Sequence, residues 1–264
     1  MIKKVILIIT IENHLIQKLV KYKKGIQLDR YPENVGIIMD GNRRWALSRA
    51  RPPTYGHKQG TKTLKNIVNY CNSINLKELT VFAFSTENRN RSSKEVQSLF
   101  FLAEWFLTSE IAELNKNNVK LVVVGNRDVN NNKLSNLFSY AEKLTFTNTG
   151  LKLNIAFNYG GKSDILHAVK KISKKIINNQ ISIEEIDENE IYNNLYSSNV
   201  SEIDLLIRTG SEKRISNFMP WQLSYSEIYF SDILWPDFTE KEMSLALSFF
   251  SERERRYGKL HSKS

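Results

Sequence analysis

Apolar and polar positions alternate along this chain in two registers. Short apolar runs at 35–39, 79–84, 120–124, 151–157, 204–207 and 228–230 predict strands. Between and after them, apolar residues spaced three and four apart predict helices over 61–75, 94–117, 133–144, 164–178, 189–196 and 240–257. Strands alternating with helices in this way predict an α/β fold with a mostly parallel six-stranded sheet flanked by helices. Clusters of asparagine at 115–118, 130–132 and 178–179 fall where helices or loops end, and asparagine tolerates the left-handed backbone needed there. No internal repeat and no long linker divides the chain, so residues 31–264 are read as one domain and residues 1–30 as an extension.

In an open parallel sheet, ligands bind beyond the carboxyl ends of the strands, so the residues just after each run are the ones to weigh. The first run is followed by Asp40, Gly41, Asn42, Arg43, Arg44 and Trp45 and then a further helix. A glycine that admits an anion, N–H groups at a helix start and a nearby arginine make a diphosphate cradle, and Asp40 is placed to hold Mg2+ against it. Taken alone, an N-capping aspartate with exposed arginines accounts for the same hexapeptide. Ser85, Thr86, Glu87, Asn88 and Arg91 follow the second run, where a solvated loop is the plain alternative. After the fifth, Arg208, Arg214, Ile215 and Ser216 flank a glycine turn suited to a second phosphate group, or form a basic surface turn. Near the last run, Glu227 supplies a second carboxylate.

Charge narrows the ligands. Lys and Arg total 38 against 28 acidic residues, a net charge of +10, which implies anionic partners. No basic stripe with interleaved aromatics is present, so small anionic ligands are favoured and nucleic acid is not expected. The single cysteine, Cys71, lies in a helical pattern beside Ile67, Val68 and Ile74 and reads as a buried hydrophobe. Without a disulfide framework the chain suits a reducing compartment, the cytoplasm. The apolar run at residues 5–9 is too short to span a bilayer. With the lysines around Leu15, Ile16, Leu19 and Val20 it reads either as an amphipathic helix lying on a membrane or as one docked on the domain itself.

The residues also carry a resemblance. Asp40 to Trp45, Gly56-His57-Lys58, the segment from Phe84 to Arg91, Asn158-Tyr159-Gly160-Gly161, Arg208-Thr209-Gly210, the segment from Arg214 to Phe218 and that from Glu227 to Phe230 resemble, in order, the signature regions of cis-prenyltransferases. This family includes undecaprenyl and dehydrodolichyl diphosphate synthases. The resemblance implies the cis-prenyltransferase fold, Mg2+ as cofactor, and the condensation of isopentenyl diphosphate onto an allylic diphosphate such as farnesyl diphosphate. The product would be a long Z-polyprenyl diphosphate for polyprenol or dolichol carriers. It implies that Asp40 and Glu227 are the metal-associated residues and that Gly41, Asn42, Arg43, Arg44 and Trp45 form the allylic diphosphate cradle. Arg208, Arg214, Ile215 and Ser216 would then hold isopentenyl diphosphate, while His57, Ser85, Thr86, Glu87, Asn88 and Arg91 line the reacting centre. An amide is a poor base, so Asn88 would orient a phosphate oxygen or water that takes the proton. Leu99, Leu102, Ala103, Leu151 and Leu153 are candidates for an apolar tunnel, or ordinary core.

Arg256-Tyr257-Gly258 resembles the family's C-terminal signature, which implies a homodimer in which Gly258 completes the partner's site. Peripheral association with a membrane, such as the cytosolic face of the endoplasmic reticulum, is compatible with this reading. Four departures stand out: Pro53 where many members carry arginine, Arg89 for a bacterial tryptophan, Lys213 for a histidine, and Arg43 for a bacterial glycine, which gives the first motif a eukaryotic look. A trans-type prenyltransferase would need two DDxxD motifs, and no two aspartates are adjacent here. Of the P-loop, only a tail is present in Gly160-Gly161-Lys162-Ser163. The main rival is a noncatalytic partner subunit of the same fold, which typically loses the Asp-Gly-Asn-x-Arg motif that is whole here.

Overall fold

A computed structural model describes residues 31–128 and 131–253. Six strands form one sheet: β1 (Asn34–Ile38), β2 (Glu78–Ser85), β3 (Lys120–Val124), β4 (Lys152–Tyr159), β5 (Leu205–Arg208) and β6 (Glu227–Phe230). Their order is β3-β4-β2-β1-β5-β6 and every pairing is parallel. Seven helices are described: α1 (Asn42–Leu47), α2 (Pro53–Ser73), α3 (Ser93–Lys116), α4 (Asn132–Leu144), α5 (Gly161–Ile177), α6 (Glu188–Asn194) and α7 (Glu240–Ser251).

The strands show the two-residue period of a sheet covered on both faces. Val35, Ile37, Leu79, Val81, Leu153, Ile155, Leu205 and Ile207 face a core built with α2, α3, α4 and α7. Ile38, Ala156 and Leu206 face the opposite way, onto Phe218, Met219 and Leu223. Leu151 and Leu153 belong to the first core and are no part of a tunnel wall. Cys71 is fully buried there, and burial pushes its thiol far up, so it packs as a small hydrophobe.

Helix α2 starts eight residues before the pattern at 61–75 suggests. Pro53 occupies its first turn, where a missing N–H costs nothing. Helix α7 ends at Ser251, six residues short of the 240–257 pattern, with Glu252 as its C-cap; residues 254–264, with Arg256, Tyr257 and Gly258, lie outside the described residues, as does the extension at 1–30. No helix among the described residues is long and apolar enough to cross a membrane.

Candidate active site

The carboxyl ends of β1, β2 and β5, the three central neighbours in the sheet, open into one pocket of about 790 Å3. Strand β1 runs into Asp40, whose carbonyl accepts from Trp235 N–H at 2.9 Å and from Thr209 Oγ1 at 2.7 Å. The chain then turns through Gly41 at φ +112°, and a Cβ there would meet the Leu234 backbone at 3.0 Å. Only glycine fits, and α1 begins immediately after it.

The Asp40 carboxylate, 31% exposed, faces two arginines. Oδ2 accepts from Arg208 at 2.9 Å and Oδ1 lies 3.3 Å from Arg44. Arg208 is itself 4% exposed and also donates to Ser216 Oγ at 2.6 Å and to the Arg214 carbonyl. Its Nε is buried without a partner. The loop that presents these groups is strained, for Ser211, Ser216, Asn217 and Met219 all have positive φ. Strain of this kind persists where surrounding structure over-determines it, as at binding sites. Gly210, at φ +82°, keeps the same loop open, since a Cβ there would come within 2.6 Å of the Arg44 guanidinium.

Beyond β2, Ser85 and Asn88 form a reciprocal cap. Asn88 N–H donates to Ser85 Oγ at 3.2 Å and Ser85 N–H donates to Asn88 Oδ1 at 3.1 Å. The amide oxygen of Asn88 is thus engaged and its NH2 group is what the pocket receives. His57, on α2, is 11% exposed with Nε2 unpartnered. Burial, and then the positive charge of Arg91, lower its pKa to about 4, so the imidazole is neutral at pH 7.

Gly41, Asn42, Arg43, Arg44, His57, Ser85, Glu87, Asn88, Arg91, Arg208, Arg214 and Ser216 therefore converge with Asp40 on one cavity. Trp45, Thr86 and Ile215 do not. Trp45 is 7% exposed, stacks on Tyr55 and donates to Asp237 Oδ1 at 2.7 Å, so it pins α1 to the body of the domain. Thr86 donates to Glu87 Oε2 at 3.2 Å and lines a separate pocket with Arg89 and Asn158, and Ile215 packs against the second core. Glu227 lies further away. Its register partner is Leu205, at the amino end of β5, whereas Asp40 lies past the carboxyl end of β1. Val35 is level with Leu205, so five residues along β1 and two strand spacings separate Asp40 from Glu227, about 16 Å and about 10 Å. Within one chain the two carboxylates cannot share an ion, and Glu227 instead lies 3.9 Å from Arg253.

Two polar lining residues, Asn217 and Glu95, were not named as candidates, although Asn217 lies within a signature segment. Asn217 donates to Glu87 Oε1 at 2.8 Å and accepts from Lys162 N–H at 2.9 Å, tying the strained loop to α5. Glu95, in the first turn of α3, carried no signal beyond its helical setting. Of the departures, Arg89 donates to Asn158 Oδ1 and to the Asp128 carbonyl and does not line the pocket.

The pocket continues through Met39, Asn42, His57, Ala83 and Leu99 into an apolar cavity of about 110 Å3. Leu102, Ala103, Phe106, Phe138 and Phe157 line its deeper part, so three of the five tunnel candidates, Leu99, Leu102 and Ala103, do stand on its wall.

No group of three or more His, Cys, Asp or Glu side chains able to hold a metal occurs among the described residues. Three carboxylates line the basic pocket; Glu87 is taken by Asn217 and Glu95 by Arg91, and Asp40 stands between Arg44 and Arg208. That donor set fits Mg2+, which takes one or two carboxylates and completes its shell with phosphate oxygens and water.

A parallel α/β sheet whose central strands end in an arginine-lined pocket joined to an apolar cavity defines an enzyme of amphiphilic phosphate esters. The comparisons make the class specific. Residues 38–258 match the prenyltransferase family model for undecaprenyl diphosphate synthase, and the chain belongs to that family. It is 46% identical over 238 residues to the (2E,6E)-farnesyl-diphosphate-specific ditrans,polycis-undecaprenyl-diphosphate synthase of Buchnera aphidicola subsp. Schizaphis graminum, covering 90% of this chain and 95% of that one. The Escherichia coli K12 enzyme of the same name is 42% identical over 225 residues, covering 85% and 89%. The crystal structure of lavandulyl diphosphate synthase from Lavandula x intermedia, in complex with dimethylallyl diphosphate, superimposes with a TM-score of 0.84 at 36% identity, covering 87% of this chain and 99% of that one. With bacterial relatives this similar, Arg43 does not by itself mark a eukaryotic protein.

Proposed function

We propose that the protein condenses isopentenyl diphosphate units onto farnesyl diphosphate to give a long-chain Z-polyprenyl diphosphate. The observation that carries this reading is the continuity of the two cavities, which gives a charged head group the Asp40, Arg44 and Arg208 end and a hydrocarbon the Leu99 and Ala103 end. The farnesyl specificity in the names of the bacterial relatives supports the starter.

In this mechanism the N–H groups of the first turn of α1 and the Arg44 side chain hold the allylic diphosphate, and Arg214 and Ser216 hold the second diphosphate. Asp40 would hold Mg2+, which when bound supplies charge neutralisation to the diphosphate oxygens. As the allylic C–O bond breaks, its electron pair leaves with the diphosphate, and arginines already in place stabilise that charge without reorganisation. The isopentenyl alkene attacks the allylic carbon, forming the new C–C bond. A proton then leaves the isopentenyl fragment to complete the Z double bond. Asn88, its oxygen already engaged by Ser85, orients the acceptor, and a phosphate oxygen or water takes the proton. His57, neutral, donates or accepts a single hydrogen bond at the centre.

The intact Asp40 to Arg44 geometry favours this catalytic reading over a noncatalytic partner subunit. A lipid product calls for a membrane within reach, so the enzyme is proposed to work in the cytoplasm at a membrane surface, as a homodimer. Incubating the purified protein with Mg2+, farnesyl diphosphate and labelled isopentenyl diphosphate, then sizing the products, tests the proposal. Long labelled polyprenyl diphosphates are expected; no incorporation with either farnesyl or a shorter allylic starter would overturn it.

A further inference from the structure

The amide of Asn217 joins two walls of the pocket that lie 130 residues apart in the chain. Its Nδ2 donates to Glu87 Oε1 at 2.8 Å, in the turn Thr86–Asn90 that carries Asn88. Its Oδ1 accepts from Lys162 N–H at 2.9 Å and its carbonyl from Gly161 N–H at 2.8 Å, both at the start of α5. Asn217 directly follows Ser216, and the two stand at φ +62° and +48°. Asparagine is tolerated in that left-handed region, whereas serine there must be held by its surroundings.

The Gly160-Gly161 pair, which the reaction itself does not use, makes this junction possible. A Cβ on Gly160 would collide with Thr86 Oγ1 and crowd Asn217 Nδ2, and one on Gly161 would collide with Pro220. Three segments therefore close on one another around Asn217. The contacts run on from both sides of the junction. Ser216 Oγ accepts from Arg208, which also donates to Asp40, and beside Glu87 the Asn88 oxygen is engaged by Ser85. An amide suits the junction because one group must both donate to a carboxylate and accept from a backbone N–H, and a carboxylate could do only the second.

We propose that Asn217 is a positioning residue for isopentenyl diphosphate: it sets the loop at 214–216 against the turn that carries Asn88. A fragment held by its diphosphate at Arg214 and Ser216 then presents its departing proton to the acceptor that Asn88 orients. The inference rests on the functional reading above. With its oxygen engaged by backbone and its NH2 group donating to Glu87, Asn217 acts through these neighbours and not on the substrate. The cradle for the allylic diphosphate is built on α1 and takes no part in the junction, so the two substrates should feel its loss unequally.

Steady-state kinetics of the full-length enzyme with Mg2+, farnesyl diphosphate and isopentenyl diphosphate tests this. Asn217→Asp keeps the size and the acceptor for Lys162 N–H but sets a second carboxylate against Glu87. It is expected to raise KM for isopentenyl diphosphate about tenfold while KM for farnesyl diphosphate stays within about twofold of wild type. Adding Glu87→Gln to Asn217→Asp restores the bond with its direction reversed, and should bring KM for isopentenyl diphosphate back to within about threefold of wild type. An equal rise in both KM values, or no recovery in the double variant, overturns the proposal. Asn217→Gly accepts the left-handed backbone without a side chain, so it separates the lost amide from a misfolded loop. It should keep the wild-type circular dichroism and show the same selective rise, and an unchanged KM for isopentenyl diphosphate overturns the proposal as well. A wild-type protein that incorporates no isopentenyl diphosphate at all would instead overturn the functional reading, and this inference with it.

Discussion

Asp40 is the residue on which the site turns, because it is both exposed to ligand and tied to two arginines. Asp40→Ala removes the one carboxylate in the pocket suited to Mg2+ and should lower kcat by at least about a hundredfold. Arg208 would lose one partner but keep Ser216 and the Arg214 carbonyl, so the stability cost is that of one charged hydrogen bond, about 1–2 kcal/mol. Activity assays and thermal unfolding of the same preparation check both halves, and near wild-type Mg2+-dependent turnover would defeat the assignment. His57 makes a prediction of opposite kind, about stability. Its folded pKa of about 4 lies below the ordinary histidine value of 6.5, so the unfolded chain binds the proton more readily between these values. Stability from this group is therefore complete above about pH 6.5 and is lost as pH falls towards 4, by about 3 kcal/mol. Urea unfolding at pH 7 and pH 4.5 should show this loss in wild type and a much smaller one in His57→Asn. Equal losses would mean that the imidazole is not held neutral.

Helix α3 connects the polar pocket to the apolar cavity, and Ala103 is the smallest side chain on the cavity wall it provides. Ala103→Phe should shorten the product while leaving the first condensation intact, measured as a shift to smaller polyprenyl diphosphates at similar farnesyl consumption. Unchanged product length would remove this cavity from the path of the growing chain. At this scale the sequence was legible where one rule acted alone. All six strands fall within one or two residues of their apolar runs, because burial on both faces forces near-continuous hydrophobic stretches. The start of α2 was not, since Pro53, Gly56 and Gly60 look like breakers until their packing is seen: Gly56 and Gly60 let Asn42 of α1 approach the helix. Within the site, residues after strands were legible because topology places them together. Trp45 and Ile215 do not line the pocket, because motif membership does not say which way a side chain points. Glu227 stands apart for a similar reason: an acidic residue near a strand gives no hint of which end of the sheet it occupies. Glu95 was invisible because a glutamate in a helix's first turn is ordinary.

At the scale of the whole molecule, the sheet ends at β6, which pairs with β5 on one side and with no described strand on the other. Tyr225, Ile228 and Ile233 leave apolar surface beside that edge, and an open edge with apolar neighbours is where a second copy would be accommodated. Arg253, the last described residue, lies 3.9 Å from Glu227 at the amino end of β6, so the chain leaves the described domain next to that edge. The resemblance of Arg256-Tyr257-Gly258 to the family's C-terminal signature implies that this segment completes a neighbour's site, and Gly258, lacking a Cβ, would let its N–H approach a phosphate closely. Deleting residues 256–264 should then cripple turnover although Asp40, Asn88 and Arg208 are untouched. Combining Asp40→Ala subunits with tail-deleted subunits distinguishes action across the dimer from action within one chain. If tails act across, the mixed dimer holds one complete site, made of the intact pocket of the tail-deleted subunit and the intact tail of the other. Activity near half of wild type per dimer is expected, with each parent alone nearly inactive. If tails act within their own chain, every subunit of the mixture remains defective, and the absence of rescue in heterodimers verified by mass would rule out the shared site.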